Sequence, residues 1–316
     1  MVLDELKLRV TARSLAADGV VLIELQPADG EILPGFKPGA HIEVQLPDGL
    51  RRHYSLCGDP DARDRYRIAV ALAEPSRGGS AYMHQSLNVG DVIVTSTPRN
   101  NFPLVEDSQR YQFIAGGIGI TPILPMLRWC EANNRSWRLL YLLRGRARAA
   151  FLDDLAPFAG RVQTHFDDEA GGVFDIGAAL NDVARDAHIY CCGPGPLMEA
   201  VEQAAADRDS AYVHFEWFTP KDQSALANTP FTVILARSRR EVAIPADRSI
   251  LETLQASGMK LPFSCREGLC ATCETAVLAG TPDHRDQILT PEEKQVSQSM
   301  MICVSRAKSP SITLDL

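Results

Sequence analysis

The 316-residue sequence predicts a multidomain chain: an antiparallel β-barrel, then an α/β domain built on a parallel sheet, then a smaller α+β domain. Three observations predict this order. Short Val- and Ile-rich runs separated by turn residues fill the first hundred residues, strands then alternate with helix-period stretches, and four cysteines cluster late in the chain. We expect domains at residues 1–104, 105–220 and 230–316, with a linker at residues 221–229.

The first part of the chain predicts six short strands before Pro98. Asp-Gly at 48–49 and Val-Gly-Asp at 89–91 are turn signals between them. Closely spaced strands of this kind favour a small antiparallel barrel or a sandwich. The predicted strands are Leu6–Ser14, Val20–Gln26, His41–Leu46, His53–Leu56, Tyr66–Leu72 and Asp91–Ser96.

After Asp107, buried-type strands alternate with helical stretches, which predicts an open parallel sheet with right-handed crossovers. A glycine loop, Gly116 to Gly119, follows the first strand, and Cys192-Gly193-Pro194 follows a later one. Ligands bind at the carboxyl ends of such strands, so we expect both loops to face one crevice suited to a pyrophosphate. The predicted strands are Tyr111–Ala115, Trp137–Leu143, Val162–Phe166 and Ala187–Cys192; the predicted helices run to about Asn133 and over Phe151–Phe158 and Pro196–Ala206.

The last part predicts a hairpin, Phe231–Ser238 with Glu241–Pro245, a helix over Ser249–Ser257, and then a cysteine loop. Cys265, Cys270, Cys273 and the distant Cys303 show the C-x4-C-x2-C…C spacing of plant-type [2Fe–2S] clusters. A structural zinc site on Cys270 and Cys273 is the alternative, although zinc sites usually add a second pair or histidines. The cysteines interpreted as small buried hydrophobes are Cys57, Cys130 and Cys191.

Composition limits the function classes. The net charge of −8 argues against nucleic-acid binding, which requires a basic face. The apolar run from Tyr111 to Leu127 is broken by three glycines and two prolines, so we expect no membrane span. The acidic N-terminus resembles no signal peptide, and we expect a monomer in the reducing cytoplasm.

Two tetrapeptides in the barrel suit a flavin. Arg52-His53-Tyr54-Ser55 places an arginine, a planar ring and a hydroxyl on one strand. Arg77-Gly78-Gly79-Ser80 precedes a helical run and suits a terminal phosphate. Alone, each tetrapeptide is better interpreted as a surface arginine and a β-turn.

In order and spacing, these motifs together resemble the phthalate dioxygenase reductase family, which includes the vanillate O-demethylase reductases. The resemblance covers essentially the whole chain. It implies an FMN-binding barrel, an NAD-binding domain of the ferredoxin–NADP reductase type, and a plant-type ferredoxin domain with a β-grasp fold.

The resemblance also implies site residues. Cys192 is expected beside the nicotinamide and Phe218 over the flavin, although Trp217 is an alternative to Phe218. The implied FMN residues are Arg52, His53, Tyr54, Ser55, Arg77, Gly78, Gly79 and Ser80; the implied NAD residues are Gly117, Thr121, Pro122, Gly193 and Pro194; the cluster ligands are Cys265, Cys270, Cys273 and Cys303.

The implied function is that of an NADH-dependent reductase that passes electrons through FMN and a [2Fe–2S] cluster to a terminal Rieske-type oxygenase, in aromatic or related O-demethylation or hydroxylation. Nicotinamide gives two electrons together and the cluster accepts one at a time, so a flavin must stand between them. The alternatives are a reductase that feeds a cytochrome P450 and an iron–sulfur redox sensor without turnover.

One segment departs from a simple NADH site. Arg144, Arg146 and Arg148 follow the second strand of the α/β domain, where an acidic ribose partner is expected. Arginines there suit the 2′-phosphate of NADPH, and only the resemblance favours NADH.

Overall fold

The computed structural model describes residues 5–223 and 226–316, so Ser224 and Ala225 of the predicted linker lie outside the described residues. The chain divides into two compact units, one ending at Trp217 and the other beginning at Phe218. The first unit contains both the barrel and the parallel sheet. No helix in the described ranges is long and apolar enough to cross a membrane.

The barrel is a six-stranded antiparallel sheet in the order β4-β3-β6-β1-β2-β5. In β1, Leu8 and Val10 are buried while Lys7 and Arg9 are exposed, as the strand period of two requires. A bridge between Leu56, the residue after β4, and Ile68 within β5 connects the two edge strands and closes the sheet. The elements are β1 (Glu5–Ala17), β2 (Val20–Pro27), β3 (His41–Gln45), β4 (Arg51–Ser55), β5 (Tyr66–Ala71), α1 (Gly79–Gln85) and β6 (Val92–Ser96).

The second sheet of this unit is fully parallel, in the order β11-β10-β7-β8-β9. Helices α2 and α3 cover one face and α5 and α6 the other. The elements are β7 (Arg110–Gly116), α2 (Ile120–Ala132), β8 (Ser136–Leu143), α3 (Leu152–Leu155), β9 (Val162–Phe166), α4 (Asp167–Ala170), α5 (Ile176–Asn181), β10 (His188–Cys192), α6 (Gly195–Ala204) and β11 (Val213–Glu216).

Two details differ from the sequence prediction. The helix predicted at Phe151–Phe158 is only one turn, α3, followed by a 3-10 segment from Ala156 to Arg161. Pro157 in that segment has no backbone N–H, so a regular α-helix is not continued there. Strand β11 and helix α5 were not predicted at all; both are short and their hydrophobic pattern is weak.

The barrel and the parallel sheet share a hydrophobic core. Val20, Cys57 and Ala69 on the barrel pack in one cluster with the buried face of α2. Arg128 of α2 donates two hydrogen bonds to the barrel, each 2.8 Å long, to the carbonyl oxygens of Cys57 and Gly58. The two sheets therefore pack together within one unit.

The second unit has a five-stranded mixed sheet in the order β13-β12-β18-β14-β16 and a short pair, β15 with β17. Helix α7 packs on it and begins with a capping box, in which Ser249 and Glu252 satisfy each other's backbone N–H groups. The elements are β12 (Phe231–Leu235), β13 (Arg240–Ile244), α7 (Ile250–Ala256), β14 (Glu274–Ala279), β15 (Pro282–Asp283), α8 (Pro291–Val296), β16 (Ser299–Met301), β17 (Arg306–Ala307) and β18 (Ser311–Leu314).

Two buried arginines hold the described part of the predicted linker onto this unit. Arg285 bonds to the Asn228 side chain at 2.6 Å and to the Ala227 carbonyl at 3.0 Å. Arg306 bonds to the Thr229 carbonyl at 3.0 Å and lies over the ring of Phe231. The residues just before β12 are thus packed with the second unit.

Candidate functional site

The four predicted cluster cysteines lie together in the second unit. The thiol of Cys265 interacts with those of Cys270 and Cys273, and the thiol of Cys303 interacts with those of Cys273 and Cys265. The sulfur of Cys265 also accepts the backbone N–H groups of Glu267 at 3.3 Å and Leu269 at 3.4 Å. Four neighbouring thiols, one of which accepts two backbone N–H groups, fit a two-iron cluster held by four thiolates.

The loop around this site turns tightly at Gly268. Its φ is +70°, and a Cβ there would lie 2.7 Å from Cγ2 of Val304 and 3.1 Å from Cα of Asp286. A side chain at this position is therefore excluded both by conformation and by space. His284 points its Nε2 at the Ser297 hydroxyl, 3.2 Å away.

The crevice predicted in the first unit lies at the topological switch point, where β8 and β10 flank β7 on opposite sides. A Cβ on Gly119 would lie 2.1 Å from the carbonyl oxygen of Cys192, and one on Gly116 would lie 2.5 Å from Cδ of Pro194. The two loops are thus in direct backbone contact. They present the start of α2, a helix of thirteen residues, as a site for an anion.

The remaining predicted residues of this crevice hold the loop in shape. Gly117 has a φ of +52°, which favours glycine. Thr121 is buried and donates its hydroxyl to the carbonyl of Ile118 at 2.9 Å. Pro122 occupies the first turn of α2, where a missing N–H costs nothing.

The two barrel motifs meet through Arg52. A Cβ on Gly79 would lie 2.7 Å from Cγ of Arg52, and the Arg52 guanidinium donates to the carbonyl of Arg77 at 3.2 Å. Gly78 has a φ of +90° and Arg77 is exposed. The hydroxyl of Ser80 accepts a hydrogen bond from the Ala73 N–H at 3.1 Å, and it is also hydrogen-bonded to the Ser76 hydroxyl, 3.0 Å away. The structure therefore brings Arg52 and the Arg77–Ser80 turn together.

Side chains alternate along β4, so Arg52 and Tyr54 share one face and His53 and Ser55 the other. Tyr54 packs against the barrel core, and burial raises the pKa of its phenol to about 12, with Arg52 opposing the shift. His53 lies with its Nε2 3.2 Å from the buried carboxylate of Glu43. Its side chain is directed away from the Arg52–Tyr54 face.

The structure adds a residue that the sequence did not reveal. Glu216, at the end of β11, receives a hydrogen bond from the Ser55 hydroxyl at 3.4 Å. Burial raises the pKa of Glu216 to about 8, and the bond from Ser55 opposes that shift only partly. Glu216 is therefore mostly protonated at neutral pH.

Cys192 lies beside this carboxyl group, because it is the register partner of Glu216 in the β10–β11 pair. Its thiol is fully buried, and burial followed by the nearby Glu216 raises its pKa far above the ordinary value. The thiol is neutral and is no nucleophile. Ser55, Cys192 and Glu216 thus form a polar cluster where the barrel meets the sheet.

Phe218 begins the second unit, two residues after β11, and 38% of its surface is exposed. Trp217 is half-buried and its ring lies 6.5 Å from that of Phe215. Of these two aromatic residues, Phe218 has the more accessible ring.

Known proteins are similar to this chain over its cluster domain and over its full length. The model of the 2Fe-2S iron-sulfur cluster binding domain matches residues 233–308. The phenoxybenzoate dioxygenase subunit beta of Ectopseudomonas oleovorans is 45% identical over 309 residues, 98% of this chain and 97% of that protein. A solved phthalate dioxygenase reductase, described as a modular structure for electron transfer from pyridine nucleotides to [2Fe–2S], is 41% identical; the match covers 99% of this chain and 98% of that one, with a TM-score of 0.73.

An intact type IV self-sufficient cytochrome P450 monooxygenase also matches, at 36% identity and a TM-score of 0.90. The match covers 99% of this chain and 41% of that longer chain. Full-length similarity to a reductase of known modular structure, together with the cluster-domain match, identifies the family. The chain belongs to the phthalate dioxygenase reductase family: it is an iron–sulfur flavoprotein oxidoreductase of oxygenase systems, with FMN and a [2Fe–2S] cluster as cofactors and NADH as electron donor.

Proposed function

We propose that this chain is the reductase component that serves a separate Rieske-type oxygenase, acting as a monomer in the cytoplasm. The observation that carries the proposal is the presence, in one chain, of the glycine crevice, the flavin strand and the four-thiol loop. No cysteine in the described residues forms a disulfide, which suits a reducing compartment.

The proposed residue roles follow from the contacts. Gly117, Thr121 and the start of α2 hold the pyrophosphate, while Gly193 and Pro194 border the nicotinamide. These groups orient NADH, whose nicotinamide supplies a hydride when bound, and no side chain needs to act as a base.

On the barrel side, Arg52 and the Arg77–Ser80 turn hold FMN through its phosphate and its ring edge, and Tyr54 flanks the ring. Ser55 and Glu216 hold a proton at the rim of this site. His53 supports the strand through Glu43. Cys192 limits the space beside the nicotinamide, while the place of Phe218 over the flavin stays a prediction from the family resemblance.

A second candidate partner is a cytochrome P450, because a P450 monooxygenase contains a segment similar to this whole chain. The two candidates separate in a reconstitution assay. The reduced protein is mixed anaerobically with a purified Rieske-type oxygenase component and, separately, with a P450 that has its own substrate. Faster reduction of the Rieske cluster supports our proposal, whereas preferential reduction of the haem contradicts it. Sedimentation of the holoprotein tests the monomer.

A further inference from the structure

The loops after β8 and β9 form a charged cluster at the carboxyl edge of the parallel sheet. Arg144, Arg146 and Arg148 follow β8, and Asp168 and Glu169 follow β9. The sequence places no acid after β8, although an acid there is the usual partner of a ribose 2′-hydroxyl. In the structure, the acid at this place is Asp168, which follows the neighbouring strand β9.

Asp168 fills the space of the missing side chain. A Cβ on Gly145 would lie 2.4 Å from Oδ2 of Asp168 and 3.1 Å from its Cγ. The backbone N–H of Asp168 also donates to the carbonyl of Arg144 at 3.2 Å, which ties the two loops together. The carboxylate of Asp168 therefore lies where an acidic side chain at position 145 would begin.

Glu169 is hydrogen-bonded to Arg146, the central arginine of the loop after β8. Nε and Nη2 of Arg146 donate to the two carboxylate oxygens of Glu169 at 2.9 and 3.0 Å. The same guanidinium lies 4.2 Å from the ring centroid of Phe166, the last residue of β9. The side chains of Arg146 and Glu169 are each more than half exposed. A phosphate that binds Arg146 would therefore have to compete with Glu169 for the guanidinium.

The strand order places this cluster at the adenosine end of a dinucleotide. The glycine loop after β7 holds the pyrophosphate, and the Ser55–Cys192–Glu216 cluster on the β10 side marks the nicotinamide end. The other half of the dinucleotide then extends over β8 and β9.

We propose that Asp168 binds the adenosine ribose hydroxyls of NADH and that Glu169 withholds Arg146 from the 2′-phosphate of NADPH. The inference rests on the proposed function, since it requires a pyridine nucleotide in this crevice. Asp168 rejects NADPH by charge repulsion, and Glu169 removes the attraction that Arg146 would supply.

The test is isothermal titration of the holoprotein with 5′-AMP and with 2′,5′-ADP, in the wild type and in Asp168→Asn and Glu169→Gln. Asp168→Asn is expected to weaken 5′-AMP by about tenfold or more, because a hydrogen bond to a charged group is lost. Glu169→Gln is expected to strengthen 2′,5′-ADP by about fivefold or more, and the gain should vanish near 1 M salt, where charges are screened within about 3 Å.

Two further variants make the test specific. Asp167→Asn removes the same charge from the same short helix, but its carboxylate is 3.3 Å from His165, so both nucleotides should bind as in the wild type. Arg146→Ala added to Glu169→Gln should abolish the gain for 2′,5′-ADP.

Unchanged affinities in Asp168→Asn and Glu169→Gln, or no measurable 5′-AMP binding to the wild type, would overturn the inference. NADH oxidation by the same preparations distinguishes a failure of the proposed function from a failure of this inference. If the wild type oxidises NADH but neither Asp168→Asn nor Glu169→Gln changes the nucleotide affinities, the proposed function stands and this inference fails. If the wild type oxidises neither NADH nor NADPH, both the proposed function and this inference fail.

Discussion

The ionisation of Glu216 depends on the fold of the first unit. Its carboxyl group lies at the end of β11, within 3.4 Å of the Ser55 hydroxyl and opposite Cys192. Because burial raises its pKa to about 8, the proton is present at pH 7 and lost as the pH rises through 8. For a carboxyl group with a raised pKa, the stability contribution is complete below about 4.5 and falls as the pH approaches 8.

We expect NADH-driven flavin reduction to slow in the wild type as the pH rises through about 8, because loss of the Glu216 proton leaves a negative charge at the rim of the flavin site, which opposes the more anionic reduced flavin. Glu216→Gln keeps a hydrogen-bonding side chain and has no titratable proton, so its rate should be nearly independent of pH in this range. Stopped-flow flavin absorbance from pH 6 to 9 would measure both profiles.

The matched control is Glu106→Gln, an exposed carboxylate paired with Lys37. Its profile should follow that of the wild type. A Glu216→Gln profile that keeps the same inflection near pH 8 would assign that inflection to another group.

Among the elements, the contact between the β7–α2 loop and the end of β10 fixes the nucleotide crevice. Gly119→Ala would place a Cβ 2.1 Å from the Cys192 carbonyl oxygen, so the loop must move. We expect NADH to bind at least about tenfold more weakly, since oriented loop N–H groups are needed for pyrophosphate binding. Bound flavin and cluster absorbance should be retained.

Gly160→Ala is the control for this substitution, because nothing lies within 4 Å of a Cβ there and the residue is outside the crevice. The dependence of the stopped-flow flavin reduction rate on NADH concentration, measured anaerobically for each holoprotein, gives the apparent Kd for the comparison. Equal NADH affinity in Gly119→Ala and the wild type would show that the close loop contact is not required.

The elements also show what the sequence can and cannot predict. The cluster loop and the first βα turn were predictable because their chemistry lies in short, local spacings, Cys265 to Cys273 and Gly116 to Pro122. Strand β11 was missed because it has four residues and all are half-buried. The contact between Ser55 and Glu216 joins residues 161 positions apart, and the pair Arg146–Glu169 joins two loops across a strand pair. Only the fold brings such residues together.

In the whole molecule, the proposed flavin and nucleotide residues from Arg52 to Pro194 lie in one compact unit, and the cluster cysteines lie in the other together with Phe218. The cluster should therefore be removable alone. We expect Cys270→Ser to abolish the visible iron–sulfur absorbance while flavin stays bound and NADH still bleaches it. Cys130→Ser, a buried thiol of the first unit, is the control and should keep the cluster absorbance. Simultaneous loss of flavin and cluster in Cys270→Ser would contradict the separation.

The central claim is that electrons pass from NADH through the flavin to the cluster in this single chain. Anaerobic stopped-flow absorbance of the holoprotein mixed with NADH tests it most directly. We expect rapid bleaching of the flavin followed by slower loss of cluster absorbance, with the slow phase missing in Cys270→Ser. If NADH leaves the spectrum of a protein that carries flavin and cluster unchanged, electrons do not follow this path, and an iron–sulfur protein without turnover is favoured.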